Sequence, residues 1–169
     1  NTHSPHKLDS GSFNDRVRQC QLAVEQINSV RPIQYLAELS QVDFDQVKDA
    51  ITDETAHRRA RHVVGEVQRT KDAVEALKNG DIVKFGQLMN QSHVSLRDDY
   101  EVTGPQLDAL AEAAWKIDGV LGSRMTGGGF GGCTVSLVRE EAIPAFIEKV
   151  GAEYTEKTGL IADFYIAEI

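Results

Sequence analysis

Gly122 to Val138 reads GSRMTGGGFGGCTVSLV, and the rest of the chain is best understood outward from it. Five glycines occupy the six positions from Gly127 to Gly132, interrupted only by Phe130, and they lie between two short strand-like pieces. Without Cβ atoms, such backbone can approach a ligand or another loop more closely than other residues permit. Gly127, Gly129 and Gly132 satisfy the pattern G-x-G-x-x-G, but that pattern needs a helix after it whose N-terminus receives a pyrophosphate. The stretch after Gly132 is instead Cys133-Thr-Val-Ser-Leu-Val138, rich in β-branched residues and without helical period, hence a strand. The run also opens like a P-loop, yet Cys133 stands in the lysine's place and again a strand comes where the helix should be. Two readings of the residues stay open. The loop is either a hairpin connection that needs glycine for its own geometry, or a hairpin tip that carries backbone to a ligand.

Around this hairpin the apolar spacing is mostly helical. The polar residues 1–12 read as a loop. Phe13, Val17, Cys20, Val24 and Ile27 recur at four-three spacing and predict an amphipathic helix ending near Asn28. Ile33 to Leu39 and Phe44 to Ile51 suit short helices. Ala60, Val63, Val64, Val67, Val74 and Leu77 mark one long helix stopped by Asn79-Gly80, and Ile82, Phe85, Leu88, Met89 and Leu96 mark the next. So short a link packs the two antiparallel. Thr103 ahead of Pro105 and Gln106 predicts a capped helix start, with the helix running to Gly119. Ser123 to Thr126 and Cys133 to Val138 form the hairpin arms. Ile143, Phe146, Ile147, Val150 and Tyr154 define a helix closed by Gly159, and Ala162, Phe164 and Ile166 alternate as a final strand. The expected fold is therefore α+β, mostly helical over 1–118 and β-loop-β-α-β over 119–169, with helices packed on one face of a small, mainly antiparallel sheet.

With 169 residues, 41% hydrophobic and 26% charged, the chain is large enough for one well-cored domain. A net charge of −8 argues against nucleic acid, which needs clustered Lys and Arg. The basic run Arg58-Arg59-Ala60-Arg61 reads as a solvated helix face. No apolar run approaches the ~20 residues of a membrane span, and no signal-peptide pattern is present. Cys20 and Cys133 are too few for a disulfide scaffold or zinc site and read as small buried hydrophobes, which fits the cytoplasm. His3 and His6 have H-x-x-H spacing without a second cluster, so no metal site is assigned. Asp98 and Asp99 are a tempting acidic pair, but at a helix end ion pairing and capping are the expected roles.

RMTGGGFGGCTVSLV, Arg124 to Val138, resembles the third signature of the GHMP kinase superfamily in the form found in galactokinases. Ser92 to Asp108, SHVSLRDDYEVTGPQLD, is similar to a second galactokinase stretch. Asn1-Thr2 together with Ser12 to Cys20, SFNDRVRQC, resembles a third, in which a tyrosine usually stands at Phe13 and a second arginine at Val17. The resemblance implies the C-terminal domain of a kinase that uses ATP and Mg2+ to phosphorylate galactose. It implies too that the sugar motif, the main phosphate loop and the catalytic base all precede Asn1, together with a strand of this same domain. On this expectation the chain is a C-terminal half, inactive alone, lacking its first strand and leaving an exposed sheet edge. The catalytic groups then lie outside this chain. Within it, Gly127, Gly128, Gly129, Gly131 and Gly132 are expected beside the phosphate site, and Phe13 beside the sugar. Its partners are galactose, ATP and the missing half. A non-catalytic sugar sensor and an N-acetylgalactosamine kinase are the alternatives that the resemblance leaves open.

Overall fold

The structure, a computed structural model, describes residues 1–4 and 10–168. Among the described residues six α-helices and one hairpin are arranged in order: α1 Ser10–Ile27, α2 Gln41–Val47, α3 Glu54–Lys78, α4 Ile82–Ser95, α5 Pro105–Trp115, β1 Val120–Thr126, β2 Cys133–Val138 and α6 Ile143–Thr158. A single π-helical turn, Leu96–Tyr100, extends α4. Helix starts are set by short polar side chains that accept otherwise unpaired backbone N–H groups. Ser40 caps α2 through Asp43, Asp53 caps α3 through Ala56, and Asp81 caps α4 through Lys84. Gly159, at φ 72°, closes α6 in the left-handed conformation that glycine adopts without strain.

Two apolar clusters hold these elements. Ala23, Ile27, Phe44, Ala60 and Val64 join α1, α2 and α3. Leu110, Ala113, Ala114, Val150 and Tyr154 join α5 to α6, and a smaller group of Val102, Leu107 and Met125 lies under the hairpin. Helix α4 lies directly on β1. A Cβ at Gly122 would stand 2.7 Å from the Gly86 Cα, so helix and strand meet backbone to backbone. The hairpin pairs antiparallel from Thr126↔Cys133 to Val120↔Val138, with an irregularity between Val120 and Gly122.

The architecture is the expected helix-rich α+β fold with a small antiparallel sheet, but that sheet has two strands among the described residues. Residues 162–166 join no ladder among the described residues, which corrects the expected final strand. The physical reason is the lack of an adjacent strand. An apolar slot of about 450 Å3 separates β2 from this segment, lined by Val135, Leu137, Phe146, Val150, Phe164 and Ile166 among others. Asn1 closes one end of the slot: its N-terminus donates to the Asp163 carbonyl at 2.8 Å, and the Asp163 N–H donates back to the Asn1 carbonyl at 3.2 Å. That reciprocal exchange is one rung of antiparallel pairing. Thr2 meanwhile pairs with the opposite wall, its N–H and hydroxyl both donating to the Gly132 carbonyl at 2.9 and 2.7 Å. The expected exposed sheet edge is thus the outer edge of β2.

Several local expectations are corrected. Gly104, at φ 84°, is the N-cap of α5 without a side-chain cap, and Thr103 is buried before it; α5 stops at Trp115, short of Gly119. Phe13 and Val17 are exposed, because the buried stripe of α1 begins only at its second half. Val74 and Leu77 are likewise exposed, since Ala76 takes the inward position at that end of α3. Cys133 is exposed and Cys20 half-buried. Arg59, expected in solvent, is 2% exposed. His6 lies outside the described residues, while the His3 ring pairs with Asp163 at 2.6 Å.

Candidate functional site

The glycine run is a hairpin tip whose conformation needs glycine for more than one reason. Gly127, Gly129, Gly131 and Gly132 all have positive φ, and Phe130 joins them at 58° despite its side chain. At Gly127 and Gly128 a Cβ would meet nothing within 4 Å, so these two backbones face open space. Gly129 differs: a Cβ there would drive into the Val102 carbonyl and stand 2.9 Å from the Val102 Cβ. The Phe130 N–H donates to that same Val102 carbonyl at 2.7 Å. One side of the loop is therefore seated on residue 102, while its tip stays bare.

The β1 arm is held from beneath. His93 on α4 is fully buried. Its Nδ1 accepts the Met125 N–H at 3.0 Å, so Nε2 carries the hydrogen that meets Asp108 on α5 at 3.1 Å. The Trp115 indole donates to the Ser123 carbonyl at 2.9 Å and stands edge-on to the His93 ring. Asn90 accepts the Ser123 N–H, and the Ser123 and Ser136 hydroxyls meet across the hairpin. At the loop's far end Thr2 holds Gly132, and the Tyr154 hydroxyl, from α6, donates to the Thr2 carbonyl at 2.6 Å.

Arginines gather where the π-helical turn ends. The N–H groups of Glu101 and Val102 both donate to the Leu96 carbonyl, and Glu101 adopts φ 54° to turn the chain. The carbonyls this turn leaves over are taken by guanidinium groups. Arg16 of α1 donates to the Tyr100 and Glu101 carbonyls, each at 2.6 Å. Arg59 of α3 donates to the Asp99 carbonyl at 2.5 Å, the Glu101 carboxylate at 2.6 Å and Gln19 at 2.8 Å. Arg58 reaches the other Glu101 oxygen at 3.0 Å. Hydrogen bonding from Arg59, then Arg58, holds the Glu101 carboxyl below the usual glutamate range. Arg16 also lies over the Phe130 ring, 5.8 Å from its centroid, at the distance of a cation–π contact. Asp99 is occupied by Arg61, and Asp98 by Arg97 at 2.8 Å.

Of the residues singled out from sequence, the five glycines lie in one loop, while Phe13 stands apart from them on α1. Phe13 is 62% exposed; Arg16, three residues after it, is the α1 residue that covers Phe130. Sequence reasoning missed Thr2, Arg59, Glu101 and Val102. A signal existed for Arg59: it falls three residues after Ala56 and four before Val63, on the inward side of α3. Among the described residues, no three His, Cys, Asp or Glu groups cluster to hold a metal ion, and no helix is long and apolar enough to cross a membrane.

Residues 73–156 match the family described as GHMP kinases C terminal, and the chain belongs to that family. Within it, the similarity is to galactokinases over every residue of this chain. It is 54% identical to galactokinase from Fusobacterium nucleatum over 170 residues, and 49% identical to that from Clostridium beijerinckii over 169, covering 44% and 43% of those proteins. The crystal structure of Lactococcus lactis galactokinase complexed with galactose superposes with a TM-score of 0.95 at 48% identity, over 100% of this chain and 44% of that one. The chain thus spans less than half the length of the relatives it matches. Neither a sugar sensor nor an N-acetylgalactosamine kinase is favoured by these relatives.

Proposed function

We propose that this chain is the C-terminal half of a galactokinase, an enzyme that transfers the γ-phosphoryl group of MgATP to the anomeric hydroxyl of galactose to give galactose 1-phosphate. The observation that carries the proposal is the likeness over the whole chain, in sequence and in backbone, to galactokinases. Phosphoryl transfer depends on positioning and on neutralising charge at the phosphoryl oxygens. In this reading the base, the main phosphate loop and the Mg2+ ligands belong to the half before Asn1. The residues here form one wall of the cleft. The bare backbones of Gly127 and Gly128 fit close approach to a phosphate loop, where their N–H groups face the phosphoryl oxygens. Phe13 borders the sugar and offers its ring without a hydroxyl.

The apolar slot supports the same division of the protein. An extended segment leading into Asn1 would continue the Asn1–Asp163 rung along residues 163–167 on one side and run beside β2 on the other. Its alternate side chains would cover Val135, Leu137 and Phe164. The soluble partners in this reading are galactose, ATP and the N-terminal half, in the cytoplasm.

Galactose-dependent ADP release is the decisive measurement, made with this polypeptide alone and with the full-length protein. Activity only in the full-length protein is expected. Turnover by this chain alone would place a base among these residues and overturn the division; no turnover by the full-length protein would overturn the activity.

A further inference from the structure

We infer that Arg59 is a positioning residue for the glycine loop: from the interior of α3 it fixes Glu101 and, through the turn, the Val102 carbonyl on which Gly129 and Phe130 are seated. The functional part of this inference rests on the proposed reading that the loop borders the phosphoryl-transfer cleft.

The geometry is a short relay. Arg59 is almost wholly buried and its guanidinium meets three acceptors: Gln19 of α1, the Asp99 carbonyl of the π-helical turn, and the carboxylate of Glu101, which ends that turn. A buried guanidinium with matched acceptors is rigid, since each missing bond would leave a desolvated polar group. Glu101 is held at both ends, its side chain by Arg59 and Arg58 and its carbonyl by Arg16. That clamp holds a non-glycine residue at φ 54°, a conformation with no intrinsic preference for glutamate. Val102 is the next residue, and its carbonyl accepts the Phe130 N–H while blocking any Cβ at Gly129. The position of that one carbonyl sets where the loop turns. Arg16 contributes at both ends of the relay, binding the Tyr100 and Glu101 carbonyls and covering Phe130. Lysine cannot replace Arg59, because a point charge does not span three acceptors in a planar fork.

The test uses the full-length protein carrying Arg59→Lys or Glu101→Gln, with Val47→Ala as a control on α2 that makes none of the relay's hydrogen bonds. Amide hydrogen exchange over residues 127–132 is measured beside kcat and KM. Both relay variants are expected to speed exchange in the loop at least tenfold and to lower kcat at least tenfold, with KM for galactose within about threefold of wild type. The Val47→Ala control is expected to lower thermal stability while leaving loop exchange and kcat unchanged. Should Arg59→Lys fail to fold, Glu101→Gln decides alone, because that side chain is 44% exposed and glutamine keeps its shape. Loop exchange in the relay variants equal to wild type, or no faster than in the control, overturns the inference. Loop exchange needs no turnover, so it decides the relay even if the full-length protein proves not to be a galactokinase. If exchange rises while kcat is unchanged, the loop is positioned by Arg59 but is not part of the reaction, and the functional inference is overturned.

Discussion

Gly128 and Gly129 are neighbours with opposite requirements. A methyl group at Gly129 meets the Val102 backbone at a positive φ, so Gly129→Ala is expected to destabilise the fold by about 2 kcal/mol or more, read as a lower Tm. A methyl group at Gly128 meets nothing, so Gly128→Ala should leave Tm unchanged, yet lower kcat of the full-length protein if the tip packs on a phosphate loop. Normal turnover by a stable Gly128→Ala protein would remove the tip from the cleft. Phe13→Tyr restores the hydroxyl that the family usually carries. One hydrogen bond of about 1 kcal/mol is expected to lower KM for galactose roughly fivefold, and no change would remove Phe13 from the sugar site. His62 supplies the pH dependence. Burial pushes its imidazole down from 6.5 to about 4, against the pull of Glu66, and Ser95 and Tyr100 enclose it, the ring stacking on Tyr100 at 4.5 Å. A folded value below the unfolded one costs nothing above pH 6.5 and destabilises as pH falls, because the unfolded chain takes up the proton first. Between pH 6.5 and 4 the loss approaches roughly 3 kcal/mol, and His62→Gln is expected to flatten that part of a Tm-against-pH curve.

At the level of elements, periodicity locates what periodicity encodes. The long helix over 54–78, its stop at Asn79-Gly80, the hairpin arms and the closure of α6 at Gly159 are all legible, because each carries an apolar stripe or a glycine stop. The glycine run is legible as the loop of the hairpin for the same reason. What escapes is set by partners distant in sequence. Arg59 reads as solvated in a basic run because Glu101, its counterion, lies 42 residues away. The capping of α5 by Gly104, and not by Thr103, follows the turn that Glu101 makes before it, which no local pattern reports. Likewise, the contact of α4 on β1 is invisible locally, because Gly86 and Gly122 are each ordinary as single residues. A methyl group at Gly86 would meet the Leu121 backbone and stand 2.9 Å from the Leu121 Cβ, so Gly86→Ala is expected to cost about 2–3 kcal/mol in denaturant unfolding. An unchanged midpoint would mean that α4 can slide along the strand.

For the molecule as a whole, the unpaired edge of β2 and the extended 163–167 segment expose apolar side chains, with Val135 at 47% and Tyr165 at 79%. If an extended segment occupies the slot in the full-length protein, amides of Val135, Leu137, Tyr165 and Ala167 are expected to exchange quickly in this chain alone and slowly in the longer one. Equal rates in both would leave the slot as a plain surface groove. The hairpin ties these scales together, since its loop rests on the turn after α4 and its arms on α4 and α5. Trp115, the chain's one tryptophan, donates to the Ser123 carbonyl on β1 and has the His93 ring against its edge. Its emission is therefore a single-site optical gauge of the seam between α5 and the hairpin. With no second indole in this chain to blur the signal, a change in wavelength or lifetime along a denaturant series reports movement at that seam, without a label and in real time.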